Sequence, residues 1–136
     1  MAYEGIDRRA HKRIKIKGAT VTYKESRFFL SKKQYVEDFY PVVEISRGGV
    51  RFLGKKLFAI ASKISLKISL PDEPSPFILK GRVRWTALNP AMDYKYQIGI
   101  QFDPFAWKKG CNHPEVLEKI MRLEKKFFTD NNTVNH

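Results

Sequence analysis

The sequence predicts a mainly β protein, an antiparallel barrel of about six short strands with a flexible basic N-terminal arm before it and one C-terminal α-helix after it. Three observations carry this. Apolar and polar residues alternate at a period of two through most of the chain. Turn-forming stretches separate the alternating runs at even spacing. Only one segment, close to the C-terminus, repeats its apolar residues at helical spacing.

Taken in order, residues 1–13 form the arm, with little apolar content before Ile14. Residues 14–110 form the barrel. Its strands begin with "ATVTY" near residue 20, followed by a long connection over 25–40, "ESRFFLSKKQYVEDFY", that fits no clean period. "PVVEI" from Pro41 and "VRFL" from Val50 flank the turn "SRGG". In "ISLKISL", Ile64, Leu66, Ile68 and Leu70 alternate with Ser65, Lys67 and Ser69, the pattern of a strand with one buried face. "FILKGRVRW" places Phe77, Leu79, Val83 and Trp85 inward and Lys80, Arg82 and Arg84 outward, with Gly81 marking a bulge or a close backbone approach. "YKYQIGIQF" gives the last strand, with Tyr94, Tyr96, Ile98, Ile100 and Phe102 inward. Residues 111–128 form the helix: Asn112 or His113 caps it, Pro114 suits its first turn, and Val116, Leu117, Ile120, Met121, Leu123, Phe127 and Phe128 make its apolar stripe. Glu115 and Glu118 early and Lys125 and Lys126 late suit the helix dipole. Residues 129–136 are expected to be a disordered tail.

With 136 residues the chain has room for about one domain, and no repeat or linker divides it. Its 26 Lys and Arg against 14 Asp and Glu give a formal charge of +12, a field that favours nucleotides, nucleic acid, phosphates or acidic surfaces. The single cysteine, Cys111, cannot form an internal disulfide, and the N-terminus has no apolar core of a signal peptide. No run of apolar residues is long enough for a membrane span. These features predict a cytoplasmic protein without membrane insertion.

Little in the chain points to catalysis or to a metal. His11, His113 and His136 are scattered, and Cys111 with His113 has no second ligand pair, so no metal site is assigned. No Ser/His/Asp order or paired carboxylates stand out. "GVRFLGKK", Gly49 to Lys56, nearly spells a phosphate loop, but Lys56 replaces the hydroxyl residue that would hold magnesium and no clear helix pattern follows. The expectation is a binding protein with no cofactor, not an enzyme.

Two stretches converge on an anionic ligand. Arg8, Arg9, Lys12, Arg13, Lys15 and Lys17 make the arm basic, and arginine's planar fork of donors suits phosphate oxygens and the O6/N7 edge of guanine. About thirty residues later, Ser46 offers a hydroxyl, while Gly48 and Gly49 are expected to turn with positive φ and let backbone approach a ligand. Arg9-Ala-His-Lys-Arg13 and Glu44-Ile-Ser46-Arg-Gly-Gly49, followed by "LKGRVRW" and "YQIGIQF", resemble the PilZ domain, a bacterial receptor for cyclic di-GMP. The first stretch fits the family's RxxxR, and the second fits [D/N]xSxxG except at its opening position; the likeness spans roughly residues 8–105. It implies a six-stranded barrel whose arm folds over cyclic di-GMP. Arg9 and Arg13 would grip guanine and phosphate, Ser46, Gly48 and Gly49 would line the far side, and Arg8 would reach the ligand beside them.

Glu44 is the departure from the family pattern. It puts the carboxylate one methylene further out than Asp, at a greater rotamer entropy cost, and is expected to alter affinity. Three function classes follow: a cyclic di-GMP effector that rearranges its arm and signals to a protein partner, a ligand-blind adaptor of the same fold, and an OB-like barrel binding nucleic acid. The two motifs favour the first and make nucleic acid the least expected partner.

Overall fold

The structure, a computed structural model, describes residues 12–25, 35–36, 38–90 and 93–134. Six strands, β1 (Thr20–Glu25), β2 (Tyr40–Ile45), β3 (Gly49–Gly54), β4 (Lys63–Ser69), β5 (Phe77–Leu88) and β6 (Tyr96–Phe102), precede one helix, α1 (Pro114–Val134). The strands close into an antiparallel barrel in the order β1-β2-β3-β6-β5-β4. Closure consumes the sheet edges that would otherwise invite a foreign strand.

Alternation decides what lies inside. Along β4, Ile64, Leu66 and Ile68 are buried between partly or fully exposed neighbours, and Val21, Phe52, Leu79 and Ile98 meet them at the centre of the barrel. Side chains at one end form a layer of aromatic rings, with Tyr23 edge-on to Phe58 at 5.1 Å and tilted against Tyr40 at 5.8 Å. The other end is covered by α1, whose Ile120 is fully buried while Val116, Leu123, Phe127 and Phe128 pack around it.

Several expectations about these elements need correction. Of the two readings of Gly81, the close backbone approach holds, since any side chain there would strike the Gln101 carbonyl on β6, and the bulge of β5 is elsewhere. It lies between Val83 and Trp85, where the register against β6 shifts. The extra residue turns Trp85 out of the core, to 36% exposure beside exposed Arg84, instead of in with Phe77 and Val83. β6 begins at Tyr96, so Tyr94 precedes the strand and stacks edge-on against Tyr40 at 6.2 Å. Helix α1 starts at Pro114 and runs to Val134 rather than ending at 128 before a disordered tail: Thr129 to Asn132 are weak helix formers, but no Gly or Pro stops a helix already nucleated. Lys125 and Lys126 therefore sit mid-helix and the last turn has no basic residue. Met121 is 40% exposed, off the packed stripe. The connection over 25–40 is described only in part, since 26–34 and 37 lie outside the described residues. No helix among the described residues is long and apolar enough to cross a membrane.

The helix is positioned by Asn112 just before it. His113 supplies the cap, its Nδ1 accepting from the Glu115 N–H at 3.2 Å. Asn112 is 3% exposed; its Oδ1 accepts from the Lys80 N–H at 2.7 Å, and its Nδ2 donates to the carbonyls of Lys80 and Asp103, both at 2.9 Å. One buried amide thus bolts the helix lead-in to β5. Asn112→Ala should destabilise the protein by about 2–4 kcal/mol, because three hydrogen bonds go and the Lys80 N–H loses its Asn112 acceptor. Urea denaturation checks this through a lower midpoint at unchanged slope.

Candidate functional site

The outer face of β2, β3, β6 and β5 carries an open depression of about 380 Å³. Its floor is one cross-strand row: Glu44 lies opposite Arg51, Arg51 opposite Gly99, and Gly99 opposite Trp85. The indole covers Gly99 so closely that any side chain there would displace it. A glycine on β6 and a bulge on β5 together place an aromatic ring in the site.

The rim comes from the turn between β2 and β3 and from the arm's root. Ser46 N–H donates to the Gly49 carbonyl at 2.8 Å, and the Ser46 hydroxyl accepts from the Gly48 N–H at 3.2 Å. Positive φ is not used here: among described glycines only Gly18 and Gly110 adopt it. Gly49 is needed for another reason, since a Cβ would collide with the Ile100 carbonyl on β6. The turn is clipped from behind by Arg47, whose Nε and Nη2 make a two-pronged contact of 2.9–3.0 Å with buried Glu124 on α1. The arm's root is fixed by paired backbone bonds between Ile14 and Ile45, at 2.8 and 2.9 Å, and Lys12 lies 4.7 Å over the Phe128 ring.

Glu44 is the site's electrostatic hub. Only 7% exposed, it receives Arg13 Nη1 on Oε2 at 2.6 Å and Arg51 Nη2 on Oε1 at 3.2 Å. Burial alone would raise its carboxyl; the Arg13 hydrogen bond and the Arg51 and Arg13 charges outweigh that and hold it below the usual carboxylate range. Arg51 also donates to Gln97 at 2.8 Å, while its buried Nε finds no acceptor among the described residues. Arg84 donates to Gln101 at 2.6 Å. Three arginines, Arg13, Arg51 and Arg84, face one carboxylate, so the lining is net cationic.

The structure brings five of the sequence-derived residues together around the depression: Arg13, Glu44, Ser46, Gly48 and Gly49. Arg8 and Arg9 lie outside the described residues. The sequence reading missed Arg51, Arg84, Trp85, Gly99 and Gln101. Arg51 and Arg84 were visible as outward positions of alternating strands; Trp85 was hidden by the bulge that reverses its face.

The family model of the PilZ domain matches residues 7–106. No curated protein matches in sequence. Among solved structures, the PilZ domain of YcgR from Escherichia coli with c-di-GMP superposes with a TM-score of 0.61 at 12% identity, over 94% of this chain and 97% of that one. The K. pneumonia MrkH–c-di-GMP complex gives 0.62 at 15% identity, over 93% and 55%. The Bacillus subtilis inhibitor of motility MotI/DgrA gives 0.55 at 16%, over 88% and 52%. At such identities the likeness establishes the fold, and the chain spans about half the length of MrkH and MotI.

The depressed Glu44 carboxyl makes a pH prediction. Its stabilising link is fully present above the unfolded value of about 4.3 and is lost as pH falls through the lower folded value. Glu44→Gln should therefore flatten the loss of stability between neutral and acidic pH. At neutral pH it should cost about 1–2 kcal/mol, limited by the partial exposure of both arginines. Thermal unfolding across that pH range measures both effects.

Proposed function

Because the chain belongs to the PilZ domain family, we propose that it is a cytoplasmic receptor for cyclic di-GMP that binds the dinucleotide without degrading it and relays binding to a protein partner. The observation that carries this reading is the convergence of Arg13, from the RxxxR stretch, with the Ser46–Gly49 turn on one net-cationic depression floored by an indole. Two fold neighbours, the YcgR PilZ domain and MrkH, are structures with c-di-GMP.

Each lining group then has a task. Cyclic di-GMP brings two negative charges and two flat guanines. Arg13 exchanges part of its Glu44 contact for a ligand phosphate or guanine edge, and Arg9 and Arg8 add theirs from the arm. Trp85 presents a π face on which a guanine can stack. Arg51 Nε supplies a donor that the free protein leaves unused among its described groups. Glu44 competes with the ligand for Arg13. Its carboxylate either accepts a guanine N–H or draws back from the phosphates.

A second reading rests on the same carboxylate. Glu44 already occupies Arg13 and Arg51, so a ligand-blind adaptor would keep the arm's root docked by itself. Calorimetric titration separates the two, because an adaptor evolves no heat with cyclic di-GMP.

For the receptor, Arg9→Ala and Arg13→Ala should each weaken binding by at least about tenfold, given roughly 1.5–3 kcal/mol per hydrogen bond to a charged group. Glu44→Asp should tighten binding or leave it unchanged. With Trp107→Phe removing the other indole, ligand should quench Trp85 emission. Unchanged affinity in both arginine variants would overturn the site.

Relay to the partner passes through the arm and α1. Ligand contacts made by Arg9 and Arg13 favour the docked arm only to the extent that they bind it better than the free arm. Lys12 on Phe128 and Arg47 on Glu124 link both motifs to the helix. Amide exchange should show protection rising over residues 6–17 and 46–49 when cyclic di-GMP is added. Protection confined to the barrel would mean binding without rearrangement of the arm.

A further inference from the structure

A second recess, of about 440 Å³, lies on β1, β4 and the first half of β5, around the barrel from the depression just described. Its floor is apolar, with Tyr35, Ile78 and Val116, and its rim is cationic, with Lys24, Lys80 and Lys119. Lys24, Ser65 and Lys80 form one cross-strand row over three strands, and the next outward row places Lys67 opposite Ile78. Among the described residues, no acidic one lines the recess and none of these four lysines makes an ion pair. Some described cations elsewhere do find carboxylates, among them Arg13, Arg47, Arg51 and Lys56. Strands β4 and β5 contain five basic residues and no acidic one.

We propose that this recess binds an acidic peptide segment of a partner protein, with one apolar side chain seated on Ile78 and Val116 and flanking carboxylates on Lys24, Lys80 and Lys119. Charge complementarity selects an anionic occupant. The apolar floor then selects among anions. Ile78 is 47% exposed in the free protein and gains by being covered. A nucleic-acid backbone would leave that floor empty. Base stacking is opposed too, because the Tyr35 ring already carries Lys24 at 4.9 Å and Lys67 at 4.4 Å. A lipid surface needs apolar groups that protrude, and these are recessed. Strand addition is closed off because the barrel has no free edge.

The test is fluorescence anisotropy of the full chain with a labelled synthetic peptide repeating Asp-Asp-Leu, beside the same peptide with Ser for Leu, a short DNA duplex, and phosphatidylglycerol vesicles. Lys80→Glu and Lys119→Glu should each weaken the leucine peptide by at least about tenfold, since like charges in a contact cost more than 1.4 kcal/mol. Ile78→Ser should weaken it several-fold at unchanged melting temperature, and Lys55→Glu, at the other end of the barrel, should change little. Three results would each overturn the proposal. They are equal loss with Lys55→Glu, equal affinity for the serine peptide, or tighter binding of duplex or vesicles that is lost with Lys80→Glu. Because Arg13→Ala leaves this recess intact, retained peptide binding in that variant keeps the outcome separate from the cyclic di-GMP site.

Discussion

Closing the barrel is the constraint from which the rest follows, and the two sides of β1 bear it unequally. Against β4, β1 runs in register for six residue pairs; against β2 it has only two, Thr20 with Pro41 and Val21 with Tyr40. The thin seam is extended by other bonds: Val42 N–H to the Ala19 carbonyl at 3.0 Å, then the reciprocal pair between Ile14 and Ile45. The root of the arm is therefore part of the closure. Arg13, one residue before Ile14, reaches Glu44, one residue before Ile45, so backbone and ion pair fasten the same point twice.

That double fastening explains why a strongly basic protein keeps a buried carboxylate among the arginines of this face. Removing Glu44 from water is unfavourable, and the two guanidiniums offset this only because each takes a separate oxygen. The additional methylene relative to aspartate extends the carboxylate's reach toward both. The residue that departs from the family motif is thus a bridge within the protein. A comparable arrangement holds the turn, where Glu124 is buried at 8% exposure against Arg47. Two buried glutamates position the two basic stretches, leaving the remaining positive charge for other molecules.

How much of this was legible depended on whether local pattern or tertiary contact decided each feature. β4 was plain because Ile64, Leu66 and Ile68 must share a face whatever their partners. Arg13, Glu44, Ser46, Gly48 and Gly49 were legible as motif residues, but their geometry was not: Gly49 is excluded from having a side chain by the Ile100 carbonyl on a strand fifty residues away, which no local turn rule reveals. Trp85 was misread because one extra residue inverts a period-two pattern, and the space it fills is set by Gly99 on another strand. The helix end was misread because propensity weighs residues one at a time, whereas extension from an existing turn is favoured until something blocks it.

Strand β5 joins the two recesses. Its first half offers Ile78 and Lys80 to one, its second half Arg84 and Trp85 to the other, and the bulge lies between Val83 and Trp85. Bulges are the part of a ladder with the fewest fixed bonds, so the orientation of Trp85 can adjust there with least disturbance to the core. The opposite half of the strand is immobilised, since Asn112 holds the Lys80 peptide group on both sides. A ligand stacked on Trp85 would thus be mechanically separated from the second recess along β5 itself. Any coupling between the recesses must instead run through α1, which touches the ligand-side turn by Glu124 and borders the peptide recess with Val116 and Lys119. Such coupling would be reciprocal: a partner that shifts α1 must alter cyclic di-GMP affinity by the same factor by which cyclic di-GMP alters the partner's.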